Sequence, residues 1–244
     1  MPSVSVIVPA HNEERRLALT LDRLTAWARA RQSPVEIVVV DSASTDATVA
    51  VAERYVGKDT PLRIVGAPFG KGNALKAGVA AASGDLLYMC DADLSTPLGE
   101  ADALLQPVLR GECDVAIGSR EVPSARRIGE PAYRHLMGRL FNAVVRLLVV
   151  PGIQDTQSGF KCFRASAARP LFEQLTIGGF AFDVEVLFLA RRNGLRVREI
   201  PITSTFDAGT RVRPWRDGLS MVTDVLRIRL NSLLGRYAKL SFGR

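Results

Sequence analysis

Two aspartates separated by one alanine, Asp91 and Asp93, follow the apolar run Leu86-Leu-Tyr-Met-Cys90. Carboxylates this close at the end of a buried strand raise each other's cost of ionisation. A divalent cation relieves the conflict, because Mg²⁺ binds one or two carboxylates together with substrate phosphates. The plain alternative is a turn whose two acids favour the start of the next helix. The surroundings weigh towards the cation. Val8-Pro-Ala-His-Asn-Glu13 and Val40-Asp-Ser-Ala-Ser-Thr-Asp46 place further acids after apolar runs. An Asp in the place of Asp41 can accept hydrogen bonds from a ribose or a base. Gly70-Lys-Gly72 is a flexible cationic turn suited to a base or a phosphate at a helix start. No GxGxxG follows the first strand and no GxxxxGK[ST] occurs, which speaks against nicotinamide and P-loop chemistry. His11 and His135 lie far apart and no GxSxG elbow is present, which speaks against a hydrolase triad.

These residues need a scaffold, and the first half supplies one. Val4–Val8, Val35–Val40, Leu62–Val65, Leu86–Cys90 and Asp114–Gly118 read as strands. Helical patterns alternate with them: Leu17, Leu21, Leu24, Trp27 and Ala28, then Asp46–Glu53, Asn73–Ala82 and Leu98–Leu109. This α/β alternation predicts an open, mostly parallel sheet flanked by helices on both faces. Ligands bind such sheets beyond the carboxyl ends of the strands. Asp41 and Asp91, each directly after a strand, should line that crevice.

The chain has 244 residues, 47% apolar and 23% charged, which fits one large domain with an appended segment. The reading divides it into a catalytic domain, 1–212, and a basic amphipathic helical segment, 213–244. No signal peptide is expected, since Val4–Val8 runs straight into His11, Asn12, Glu13 and Glu14. No stretch reaches the roughly 18–20 apolar residues of a spanning helix. Cys90, Cys113 and Cys162 lack metal-ligand spacing and read as reduced thiols. The net charge of +7 is uneven: residues 1–105 hold 10 Lys and Arg against 13 Asp and Glu, residues 106–244 hold 22 against 12. The second half is therefore expected to face an anion. Nucleic acid is disfavoured as that partner, because aromatic residues are few and not interleaved with the basic ones.

Two apolar segments stand out in that half, beyond a Ser119–Pro131 stretch read as loop. Leu136–Val150 is apolar nearly all round, with Arg139, Asn142 and Arg146 on one stripe; it reads equally as a core helix or as a helix in a membrane interface. Near the C-terminus, Leu219, Val222, Leu226, Leu230, Leu233 and Tyr237 share a face flanked by Arg227, Arg229, Arg236 and Lys239. That pattern suits anionic lipid or packing on the domain.

The ordered motifs VIVPAHNE (6–13), VVDSASTDAT (39–48), GKGNAL (70–75), DADLSTP (91–97), GSR (118–120), DTQSGFKCF (155–163) and FDVEVLFLARRNG (182–194) resemble family 2 glycosyltransferases of the GT-A, Rossmann-like fold. Within that family the chain is most similar to the branch that glycosylates dolichyl and other polyprenyl phosphates. The resemblance implies that Pro9, Ala10, Glu13, Asp41, Lys71, Asp91 and Ala92 hold a UDP- or GDP-linked sugar. It implies that Asp91, Asp93 and Ser95 hold Mg²⁺ or Mn²⁺, and that Arg120, Arg126, Arg134 and Arg213 hold phosphate, including that of the lipid acceptor. Asp155, Asp93 and Arg120 become the catalytic candidates. Asp183 and Glu185 read either as carried-over site acids or as helix N-terminal acids. Ser42 stands where many relatives have Asp, and Ser95 where some have Gln.

The expected reaction is inverting, metal-dependent transfer of a hexose, glucose from UDP-glucose first and mannose from GDP-mannose second. A phosphate monoester, with a second pKa near ~6, is already largely dianionic at neutral pH and needs cations more than a base. A nucleotide-sugar-binding module without turnover is the rival from another class. The protein is expected peripherally on the cytoplasmic face of a membrane.

Overall fold

The computed structural model describes residues 2–206 and 214–242, with side chains from residue 220 in the latter segment. In chain order the elements are β1 (Val4–Ala10), α1 (Leu17–Arg29), β2 (Val35–Ser42), α2 (Thr48–Glu53), β3 (Leu62–Ala67), α3 (Lys71–Ala81), β4 (Leu86–Met89), α4 (Ala101–Leu109), β5 (Val115–Ser119), β6 (Arg126–Ile128), α5 (Ala132–Leu148), β7 (Lys161–Arg164), α6 (Ala165–Glu173), α7 (Phe182–Arg192), β8 (Val197–Pro201), β9 (Thr203–Thr205) and α8 (Pro214–Leu233).

Seven strands form one sheet in the order β3-β2-β1-β4-β7-β5-β8. Its first half is parallel, as the alternation predicts, with Val4 opposite Val35 and Leu86. Successive β1 side chains enter opposite layers. Ile7 packs with α3, α6 and α7 residues such as Leu75, Leu171 and Val186. Val6 and Val8 pack with Leu17, Leu21 and Leu104 of α1 and α4. The period of two thus yields two apolar layers from near-continuous β-branched runs.

The order reverses at β1, which lies between β2 and β4 and creates the crevice at their carboxyl ends. A departure from the alternation sits beside it. β7 is antiparallel to both β4 and β5, pairing Lys161 with Met89 and Ile117. Its amino end therefore lies at the carboxyl edge of its neighbours, and the preceding residues 155–160 are delivered to the crevice.

The 119–131 stretch is not all loop, since β6 pairs with β9, Arg126 opposite Thr203. The core-helix reading of Leu136–Val150 fails. On α5 only Asn142 and Val145 are buried, while Leu136, Leu140 and Leu147 are 70%, 67% and 84% exposed. α8 packs against α5 and α7. Its inward residues are Met221, Val225 and Ile228, and the face read as apolar, Val222, Leu226, Leu230 and Leu233, points outward. Leu219 lies outside the described side chains, and Tyr237 alone of that set is buried. Among the described residues no helix is long and apolar enough to cross a membrane.

Candidate active site

Asp91 emerges two residues after β4, and α3 begins with Lys71 facing it. Lys71 Nζ lies 2.6 Å from Asp91 Oδ1. Burial works against the Asp91 charge, but Lys71, seconded by Lys161 and Arg120, outweighs it and lowers the carboxyl's pKa. Asp93 shifts the other way: burial and the neighbouring Asp91 charge raise it. One carboxylate is thus held ionised by a lysine while the other is strained by the first. The 155–160 segment closes over this pair. A Cβ on Gly159 would stand 2.0 Å from Asp91 Oδ2, so any larger residue there would displace the Asp91 carboxylate.

Asp155, at the start of that segment, is fully buried. Its Oδ2 accepts from Arg120 N at 3.0 Å and Nε at 2.7 Å, and its Oδ1 from an Arg120 terminal nitrogen at 2.9 Å. Burial would raise the Asp155 pKa, but the Arg120 charge and these bonds hold it at about 2. Glu199 accepts the Asp155 backbone N–H at 3.0 Å and fixes the turn from behind. Asp155 therefore aims Arg120 and keeps its negative charge at neutral pH.

A cavity of about 360 Å³ opens in front of these groups. Lys71, Asp91, Asp93, Ser95, Arg120, Arg127, Arg134 and Asp183 are among its polar lining, and Met137, Phe141, Phe180, Phe206 and Met221 its apolar lining. Arg127 is held by Glu121 at 2.5 Å and by Glu130. The Arg134 guanidinium lies 5.1 Å from the centre of the Phe206 ring.

Of the residues read from the sequence, the cavity brings together Lys71, Asp91, Asp93, Ser95, Arg120 and Arg134. Asp155 stands behind Arg120. Arg126 is exposed on β6 and absent from the lining, where its neighbour Arg127 appears. Arg213 lies outside the described residues. Ala10 and Asp41 are register partners at the same sheet edge, and Pro9 precedes them. Ser44 N–H donates to Asp41 at 3.3 Å. Glu13 receives Arg16 Nε at 2.8 Å, and the carbonyl of buried Ala92 receives the Thr20 hydroxyl at 2.5 Å. Asp183 and Glu185 are in the first turn of α7 and both buried, but they serve different neighbours. Asp183 lines the cavity and pairs with buried Lys161 at 2.5 Å. Glu185 is absent from the lining and accepts from Thr176, Ile177 and Tyr237.

Sequence reasoning missed Arg127 and Lys161. Arg127 carried no local signal, because apolar Ile128 beside it faces outward while the arginine turns inward. Lys161 follows DTQSGF directly and carried no signal beyond membership of that motif.

Among the described residues no three His, Cys, Asp or Glu side chains converge as a metal cage. Asp91 and Asp93 nonetheless fit a cation shared with phosphates, which needs one or two carboxylates, and their mutual repulsion is what such a cation relieves.

Comparison with known proteins agrees with this geometry. The profile described as Glycosyl transferase family 2 matches residues 5–172. The human dolichyl-phosphate beta-glucosyltransferase is 34% identical over 250 residues, covering 96% of this chain and 77% of that protein. The Saccharomyces cerevisiae protein of the same name is 30% identical over 254 residues, covering 96% of this chain and 76% of its own. Among solved structures, glucosyl-3-phosphoglycerate synthase from Mycobacterium tuberculosis in complex with uridine diphosphate aligns with a TM-score of 0.67 at 25% identity, covering 99% of this chain and 82% of that one. With the profile spanning well over half of the chain and relatives above 30% identity along nearly all of it, the chain belongs to glycosyl transferase family 2.

Proposed function

We propose that this chain transfers glucose from UDP-glucose to a polyprenyl phosphate, dolichyl or undecaprenyl, with inversion at the anomeric carbon. One observation carries the reading. Arg120, Arg127 and Arg134 line the same cavity as the Asp91–Asp93 pair and the apolar Met137, Phe141, Phe180, Phe206 and Met221. An anion with a hydrocarbon tail matches that mixed lining. The relatives named dolichyl-phosphate beta-glucosyltransferase support the same choice of sugar and acceptor.

Pro9, Ala10, Glu13, Asp41, Lys71, Asp91 and Ala92 are assigned to the nucleotide sugar. Asp91 and Asp93, assisted by Ser95, would hold Mg²⁺ or Mn²⁺. That ion supplies positive charge where the diphosphate leaves. Arg120, oriented by Asp155, holds the acceptor phosphate with Arg134; Arg127 takes the place first given to the outward-facing Arg126, and Arg213 is kept as a further candidate. Forked guanidinium contacts suit a phosphate in both charge and geometry. The phosphate arrives as a dianion, and its oxygen attacks from the face opposite the departing nucleoside diphosphate. No side chain needs to take a proton from it.

Exposed leucines lie on α5 and α8, the helices that give Met137, Phe141 and Met221 to the cavity lining, with Arg139, Arg146, Arg227 and Arg229 exposed on the same helices. Their chemistry fits an anionic bilayer, into which the acceptor's tail would run. Residues 213–244 would thus seat the catalytic domain, 1–212, on the cytoplasmic face; the three free, buried cysteines suit that compartment.

Incubation with polyprenyl phosphate and a panel of UDP- and GDP-sugars, with the glycolipid identified by mass, tests the proposal. UDP-glucose should give one hexose on the lipid phosphate and release UDP. A product made only on a neutral hydroxyl would overturn it.

A further inference from the structure

Glu185 is a completely buried acid, absent from the cavity lining, yet four donors converge on it. Thr176 gives its N–H at 3.1 Å and its hydroxyl at 2.6 Å, Ile177 its N–H at 2.9 Å and Tyr237 its hydroxyl at 2.7 Å. Asn231 of α8 donates to the same Thr176 hydroxyl oxygen at 3.2 Å, and Arg236 holds Asn231 at 3.0 Å. The C-terminal segment is therefore bonded to residues 176–177 through one carboxylate.

The next residue continues the path. The Gly178 carbonyl accepts the backbone N–H groups of Gly72 at 2.9 Å and Asn73 at 3.2 Å. These belong to the first turn of α3, whose N–H groups have no partner within the helix. Contact is close along the seam: a Cβ on Gly70 would stand 2.3 Å from the Gly178 oxygen, and one on Gly72 2.4 Å from the Ile177 oxygen. Lys71 lies between these two glycines and reaches Asp91. Few movements of residues 176–178 leave the Lys71 backbone where it is.

We propose that Glu185 and Tyr237 are positioning residues that set the Lys71 turn, so that the seating of the C-terminal segment governs affinity for the nucleotide diphosphate. The inference rests on the assignment of Lys71 to the donor made above. It gives the first turn of α7 two tasks on different faces, Asp183 steadying Lys161 at the cavity and Glu185 joining the C-terminal segment to α3.

Tyr237→Phe in the full chain removes one hydroxyl and keeps the ring, and Glu185→Gln keeps the shape but loses the charge. Amide hydrogen exchange at Gly72 and Asn73 reads the relay without ligand. UDP titrated calorimetrically with Mn²⁺ reads its consequence. Tyr237→Phe should speed exchange at both amides and weaken UDP by about threefold to tenfold, the worth of one net hydrogen bond, with the acceptor KM unchanged. In a Lys71→Ala background the same substitution should cost UDP affinity nothing further, since the path ends at Lys71. A lower Tm with exchange at Gly72 and Asn73 and the UDP Kd unchanged would overturn the proposal. So would a UDP penalty that persists without Lys71. Should the wild type bind neither UDP nor GDP, the donor assignment fails and this inference with it, whereas binding by the wild type leaves the variants to decide the relay alone.

Discussion

Replacing Asp155 by asparagine separates an orienting carboxylate from a catalytic base. In the native site Asp155 accepts three hydrogen bonds from Arg120 and a fourth from Gln157 N–H at 3.2 Å. Asparagine keeps the shape, offers one acceptor instead of two and leaves the Arg120 charge without its partner. Breaking a buried ion pair from one side costs about 3–5 kcal/mol. The amide retains part of the hydrogen bonding, so a fall in stability of about 2–3 kcal/mol is expected in urea. The acid limb gives a second measure of the same pair. The Asp155 pKa is depressed from 3.8 to about 2, so the unfolded chain binds more protons in that window and stability falls with falling pH. The contribution, about 2 kcal/mol, is fully present above the unfolded value and lost as pH drops through the folded one. Catalytically, a misaimed Arg120 should raise the acceptor KM and lower kcat/KM by about tenfold to a hundredfold, while UDP affinity changes little. The pH–rate profile should keep its wild-type form, rising only until the acceptor phosphate is dianionic. An Asp155→Asn enzyme inactive despite native stability and native acceptor binding would refute the orienting role. So would a wild-type rate that climbs steadily above about pH 8, where the acceptor phosphate is already fully dianionic.

Three further outcomes follow from the geometry. Gly159→Ala should leave Tm within a few degrees, because the Asp91 carboxylate it strikes can swing aside, but should abolish calorimetric binding of Mn²⁺ with UDP. Asp93→Ala should reduce transfer at least about a hundredfold, the scale of lost charge stabilisation at a leaving diphosphate. Chelation of the wild type should do the same and be reversed by Mg²⁺ or Mn²⁺; full activity in chelator would remove the metal assignment. Leu140→Glu with Leu226→Glu should cut sedimentation with phosphatidylglycerol vesicles while leaving UDP binding intact, since both side chains are exposed; unchanged sedimentation would exclude this face as the membrane contact.

The parallel half of the sheet was legible because buried parallel strands need continuous β-branched runs, and Val4–Val8 and Val35–Val40 are such runs with turn residues on either side. β7 was not legible, for a physical reason. Lys161-Cys-Phe-Arg is four residues long and begins with a charge, and nothing local announces that this lysine is buried against Asp183. Its strand character is conferred by the edges of β4 and β5, which would otherwise have unpaired backbone groups between them. The same limit explains α5 and α8. Periodicity finds an apolar face but cannot tell which face meets protein, and on α8 the leucine-rich face is the outer one.

The site shows where short motifs stop being informative one residue at a time. Asp91, Asp155 and Lys161 look from the sequence like three separate polar residues, two of them candidates for chemistry. In the fold Asp91 is matched to Lys71, Asp155 to Arg120 and Asp183 to Lys161, three neighbouring ion pairs, partly to fully buried. Opposite charges shielded from water in this way fix each other's position more firmly than exposed ones do. Among the cavity's carboxylates, cation binding therefore rests most with those that this pairing leaves short of a counter-charge. Asp93 is one, its carboxyl pushed up by burial and by Asp91. That is why the second aspartate of the pair, and not the first, is the one whose loss a bound cation should feel most, while Asp91 remains committed to the lysine that the α3 turn brings to it.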